Sequence, residues 1–255
     1  MSANMSYEKI WEELELPEFI NGKIEKDEAP VCLSNPVLII ETLRRFQDLY
    51  NTIVNARFNF ALSCADEYPR LLADNTKSNV LHIKGLFLNS AIIWYNNTFD
   101  HLLQIIWVSY ELFQRKGVSS AITTENIDAI LASCTYTKVI ALGYELVPLS
   151  LMNEIKQLYG SKCYRLIRSW ANIIKHRSCL EYTDINKREF VYVTLRCEDG
   201  QSVWEAFRSG NNEEYNSMKV KQNRMVSIKD VSKNLLDYHR MLISAIRHLY
   251  GCLYE

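Results

Sequence analysis

The sequence predicts an all-α fold: a single helical bundle carrying a small β-hairpin or loop insertion before its last helix. Three observations carry this reading. Apolar residues recur at three- and four-residue spacing along most of the chain. Eight Gly and five Pro in 255 residues are too few for a turn-dense β protein. The helical rhythm gives way to β-branched and aromatic runs around 189–207. With 48% hydrophobic residues, the chain has material for one substantial core.

Residues 1–33 are acidic and weakly periodic and read as an N-terminal extension, with one short helix near 7–16. Residues 34–255 read as one domain. Ser34-Asn35-Pro36 supplies a polar cap followed by Pro in the first turn, the usual opening of a helix. Val37, Ile40, Leu43, Leu49 and Ile53 continue that helix to about Asp66, before Pro69. The next helix begins near 75–78 and carries Val80, Ile92, Tyr95, Phe99, Leu103 and Ile106, with a bend expected at Gly85 or Asn96-Asn97. Thr123-Thr124-Glu125 resembles the cap of a shorter helix reaching Ala132. Residues 136–159 are helical again, with Pro148 as a kink or boundary. Gly160-Ser161 separates them from a helix over 163–177. An insertion at about 185–224 holds two β-branched, aromatic runs around the turn signal Glu198-Asp199-Gly200-Gln201. Ser227 and Asp230 then open the final helix like a capping box.

Charge and motif content narrow the function. Twenty-nine basic and thirty acidic residues leave a net charge of -1, so overall charge does not grip a nucleic acid, although a local basic patch would. The seven Cys are odd in number and widely spaced, with no CxxC pair, which predicts reduced thiols. The N-terminus has acids where a signal peptide needs an apolar core. The richest apolar stretch, 89–110, is broken by Asn96, Asn97, Asp100, His101 and Gln104. These features predict a cytoplasmic protein with no membrane span. HExxH, phosphate-loop, dinucleotide-binding and GxSxG motifs are absent and the five His are scattered, so neither a metal nor another cofactor is expected.

The sharpest local bias is GSKCYRLIRSWANIIKHR at 160–177, with Lys162, Arg165, Arg168, Lys175 and Arg177 and no acid. Asn172 and His176 stand four apart and project from one side of a helix. Arg165 points the same way roughly 16 Å along the axis, and Arg168 lies about 12 Å from His176. A helix-borne imidazole beside an amide and cations suits metal-free RNA cleavage. The imidazole moves a proton at the ribose hydroxyl or the leaving oxygen, and guanidinium groups neutralise charge on the phosphate. A symmetric dimer would bring two such histidines together. The plain alternative is the cationic end of a helix interacting with its dipole.

Upstream, Asp100, His101 and Gln104 share one face of an apolar helix. They read either as a hydrogen-bond network behind the basic helix or as part of a catalytic set. Asp100 would orient His176 if the two helices pack together. Arg44, Arg45 and Arg57 read as a solvated face, His239, Arg240 and His248 as helix-surface residues, and Trp107 and Trp170 as core.

The string Asn172-Ile173-Ile174-Lys175-His176-Arg177 resembles the N-x-x-K-H-R ending of a branch of the HEPN superfamily. These are helical domains, many of them dimeric ribonucleases of prokaryotic toxin–antitoxin and antiviral systems. The stretch from Trp94 to Trp107 is similar to the aromatic, Asp- and Gln-bearing core helix of that branch. The resemblance implies a homodimer acting on RNA. It assigns acid–base work to His176, orientation of substrate or His to Asn172, and phosphate binding to Arg168, Lys175 and Arg177. Asp100, Gln104 and Arg165 would support them.

One feature of the family pattern is missing here. That pattern is an Arg, then four to six residues, then the His; here four intervening residues lead back to Ala171 and six to Ser169, with Arg168 one position outside. Either another cation takes the phosphate role, or the chain is a non-catalytic module that binds RNA, a nucleotide or a protein partner.

Overall fold

A computed structural model describes residues 7–16, 30, 33, 35–68, 71, 76–116, 122–123, 125–176, 180–185 and 225–254. The described residues form an all-helical bundle. Its helices are α1 (Tyr7–Glu13), α2 (Pro36–Ser63), α3 (Lys77–Ser109), α4 (Ile127–Ala132), α5 (Tyr136–Gly143), α6 (Leu149–Gly160), α7 (Lys162–His176) and α8 (Ile228–Tyr254). Two short strands, β1 (Glu181–Tyr182) and β2 (Met225–Val226), complete it.

Local chemistry explains most boundaries. Asn35 caps α2, its Oδ1 accepting the Val37 N–H at 2.9 Å, and Pro36 occupies the first turn, where its missing N–H costs nothing. Pro148 divides the stretch expected at 136–159, serving as the N-cap of α6. The α4 helix starts later than Thr123-Thr124-Glu125 suggested, after Asn126, whose Oδ1 accepts the Thr123 N–H at 3.0 Å. At α8, Ser227 Oγ accepts the Asp230 N–H at 3.0 Å, and Asp184 Oδ2 accepts the Ile228 N–H at 2.7 Å. The start of the last helix is therefore tied to the chain leaving β1.

The central element is α3, 33 residues or about 50 Å long, continuous through Gly85 and the Asn pair. It packs along α2 on one side and meets α7 and α8 on others. Its C-terminal half is consequently buried nearly all round, including Ile105, Ile106, Trp107 and Val108. Trp107 satisfies its indole N–H on the Ile130 carbonyl at 3.1 Å, and Trp170 is also buried. From the N-terminal segment, Ile10 and Leu14 enter the same core, fully buried.

The expected hairpin at 189–207 and the insertion from 186 to 224 lie outside the described residues. At the two ends of that span, β1 and β2 pair in parallel, Glu181 opposite Met225 and Tyr182 opposite Val226. Among the described residues, no helix is long and apolar enough to cross a membrane. Cys64, Cys134, Cys163 and Cys252 carry free thiols.

Two expectations about charged residues are corrected. Arg45 and Arg57 do not belong to a solvated face. Glu41 is buried and needs cations; Arg45 Nε meets it at 2.6 Å and Arg44 Nε at 2.9 Å. The Arg57 guanidinium lies 3.8 Å from the centre of the Trp11 ring and donates to the Trp11 carbonyl. His239 is not a surface residue either: it is 1% exposed and bonded at both ring nitrogens, to Tyr95 and to Glu15. His248 is half-buried between Ser150 and Glu154.

Candidate functional site

The amphipathic pattern of α7 is steep. Cys163, Tyr164, Ile167, Trp170 and Ala171 are buried, while Arg165, Arg168, Asn172, Lys175 and His176 are exposed. Docking of the apolar side on α3 and α8 leaves the polar side free.

A pocket of about 490 Å³ opens where that polar side meets α3, the α4–α5 connection and the end of α6. Asp100 and Gln104 of α3 face it together with Arg168, Asn172 and Lys175 of α7. Phe99, Tyr136, Tyr159 and Tyr164 supply an aromatic wall. Tyr136 and Tyr159 stack with ring centres 3.6 Å apart and planes within 8°. Arg168 donates to the Tyr159 hydroxyl at 3.1 Å, which holds the guanidinium at the rim. Lys175 reaches across to Asn97 Oδ1 at 3.2 Å, and Gln104 accepts from Arg45 at 3.4 Å.

The electrostatics of the pocket are mixed. The Asp100 carboxyl opens into the pocket, but the surrounding protein strips part of its hydration and raises its pKa, while Lys175, His101 and Arg168 pull it back down. Burial pushes the Cys134 thiol up to about 12, so this pocket-lining thiol is no nucleophile at neutral pH. Desolvation also raises the Tyr164 phenol and lowers the pKa of His101, whose Nδ1 has no hydrogen-bond partner among the described residues.

The structure thus brings five sequence-predicted residues, Asp100, Gln104, Arg168, Asn172 and Lys175, to one concave site. It leaves His176 at the exposed end of α7, outside the pocket lining and with no hydrogen bond to Asp100. Arg165 is exposed and lies off the pocket, and Arg177 falls outside the described residues. Sequence reasoning missed the stacked tyrosines, Asn97 as the partner of Lys175, and the Arg45–Gln104 contact. Of these, only Asn97 carried a signal, standing three residues before Asp100 on the helix already singled out. No group of three or more metal-ligating side chains occurs among the described residues.

Fold and site together define an all-helical bundle with a polar, aromatic-walled pocket beside an exposed basic helix face. No family model, curated protein or solved structure matches the chain.

Proposed function

We propose that the chain is a HEPN-like, RNA-directed protein of a prokaryotic defence or toxin–antitoxin type system. In this reading it acts in the cytoplasm as a homodimer and cleaves RNA without a metal. The observation that supports it is the convergence of Arg168, Asn172 and Lys175 with Asp100 and Gln104 on one pocket bordered by the basic face of α7. RNA would run along that face. Arg165, Arg168, Lys175 and Arg177 meet phosphates, the tyrosines of the wall stack on unpaired bases, and Asn172 orients the strand. His176, free at the helix end, moves the proton at the scissile phosphate, and the second acid–base group is His176 of the other protomer.

A second reading, a non-catalytic module binding RNA, a nucleotide or a protein partner, is favoured by a different observation. Position 171, where the family's pattern places an Arg, holds a fully buried Ala, and His176 does not line the pocket.

One experiment separates the two. The protein and its His176→Ala variant are incubated with a mixed labelled RNA pool in EDTA, with retention of RNA on a filter measured in parallel. Cleavage that falls about 100-fold or more in H176A, with RNA retention unchanged, supports the ribonuclease. Retention without cleavage by either protein supports the module. No retention and no cleavage removes RNA from the proposal altogether.

A further inference from the structure

Away from the α7 pocket, the first two turns of α6 and the last third of α8 place a serine, a histidine and a glutamate in series. Ser150 Oγ lies 3.1 Å from His248 Nε2, and His248 Nδ1 lies 2.7 Å from Glu154 Oε2. The other Glu154 oxygen accepts from Ser244 Oγ at 2.6 Å, so the carboxylate is fixed at both ends. An ionised carboxylate only accepts hydrogen bonds, which puts the ring proton on Nδ1. In its neutral form the imidazole then presents the Nε2 lone pair to the Ser150 hydroxyl, which is the donor. A nucleophile, a base and a group that orients the base stand in the order acyl transfer requires.

Two further features surround this series. Pro148 caps α6 without a side-chain hydrogen bond, and the first bond of the helix runs from the Met152 N–H to the Pro148 carbonyl. The N–H groups of Leu149, Ser150 and Leu151 therefore lack carbonyl partners within the helix, at the terminus where negative charge is favoured. Leading into Ser150 along the chain, Tyr144, Leu146 and Leu149 are 43%, 41% and 59% exposed, three apolar side chains within six residues of the serine.

We infer that Ser150, His248 and Glu154 form a second site, a serine acyl-transfer centre that accepts small, uncharged esters with apolar acyl groups. Ser150 Oγ attacks the ester carbonyl while its proton passes to His248 Nε2, and the oxyanion is held by first-turn amides of α6. The C–O bond to the alcohol breaks, and His248 returns the proton to the departing oxygen. Water then attacks the acyl-Ser150, giving its proton to His248. Ser150 leaves as the restored hydroxyl, and the acid is released. Ester and water become acid and alcohol, with no other reactant. Glu154 acts as a positioning residue. Ser150 is exposed at the start of α6, so the substrates assigned to it are short aryl or alkyl esters rather than long chains.

The test uses the full chain and a fluorophosphonate, which phosphonylates an activated serine, followed by peptide mass spectrometry. The expected result is a single adduct on Ser150, absent in Ser150→Ala and formed at least about tenfold more slowly in His248→Gln. A short aryl acetate should be hydrolysed in parallel, with the same ranking. Ser150 is exposed, so S150A keeps the fold, and circular dichroism of H248Q checks that variant. Glu154→Gln should slow adduct formation, and Glu154→Asp should recover part of the rate. No adduct on Ser150, or an adduct whose rate ignores H248Q, overturns the site. Because no RNA enters the assay, its outcome is independent of the RNA reading.

Discussion

His239 sits among groups that leave no place for a second proton. Its Nε2 meets the Glu15 carbonyl at 3.0 Å and its Nδ1 meets the Tyr95 hydroxyl at 3.0 Å. A carbonyl only accepts, so Nε2 carries the proton and Nδ1 takes the hydrogen of Tyr95. Protonating Nδ1 would turn that phenolic hydrogen away inside a site where both side chains are essentially inaccessible to water. Burial holds His239 at about 4, helped by the cations Arg57 and Arg240, against about 6.5 in an unfolded chain. Below 6.5 the unfolded chain takes up a proton that the folded chain refuses, so this contribution is complete above pH 6.5 and is lost as pH falls toward 4. Replacing His239 with Gln removes the linkage. In urea titrations, the stability gap between wild type and H239Q should shrink by about 3 kcal/mol between pH 7 and pH 4. A gap constant across that range would show that His239 does not titrate from a buried neutral state. The sequence did not reveal this residue, because its burial depends on groups 144 and 224 positions away in the chain. Helical periodicity around Tyr238 and Leu242 marks a stripe but not how far a neighbouring helix or the N-terminal segment overlaps it.

The approach of one element to another is limited at Gly85. A Cβ there would stand 3.1 Å from two atoms of the Tyr182 ring and 3.2 Å from Ile185. Tyr182 cannot easily withdraw, since its hydroxyl donates to Asn89 Oδ1 at 2.9 Å and its backbone belongs to the β1–β2 pair. Gly85→Ala would gain about 1 kcal/mol of helix propensity and meet an overpacking cost of about 1–3 kcal/mol. The expected net result is destabilisation of up to about 2 kcal/mol. Tyr182→Leu in the same background should relieve it, as denaturant midpoints of the single and double variants will show. A higher midpoint for G85A than for wild type would mean that β1 moves aside freely and leaves only the propensity gain. Elements of this kind were largely legible in the sequence. Apolar spacing, Asn35-Pro36, Pro148 and Gly160-Ser161 marked helices and breaks because each acts over one turn of chain. The polar face of α7 was legible for the same reason. The pocket was not, since its aromatic wall exists only when α5 and α6 bring Tyr136 onto Tyr159. The parallel β1–β2 pair was equally hidden, because its two-residue strands are too short to show a period and lie more than forty residues apart.

At the scale of the molecule, the N-terminal segment is where acidic, weakly periodic sequence concealed a structural part. Ile10 and Leu14 are fully buried in the core shared by the long helices. Around them Trp11 lies under Arg57, Glu13 pairs with Arg240 at 2.7 Å, and the Glu15 carbonyl holds His239. The exposed ion pair alone would hold little. The two buried aliphatic side chains carry the attachment, and the polar contacts fix its register. Leu14→Ala should therefore cost about 2–5 kcal/mol, the range for a buried Leu whose site cannot fully collapse. In a chain of this size that corresponds to a drop in Tm of about 5–15 °C. Because Leu14 belongs to the same core as α2 and α8, calorimetry should show one transition that moves as a whole. His239 should also feel the change, since a loosened segment admits water and relieves the burial that holds its pKa down. In L14A its pKa, followed by NMR of the imidazole, should rise from about 4 toward the ordinary histidine range as water enters. A Tm unmoved by L14A, with the histidine signal unchanged, would mean that residues 7–16 rest on the bundle without stabilising it.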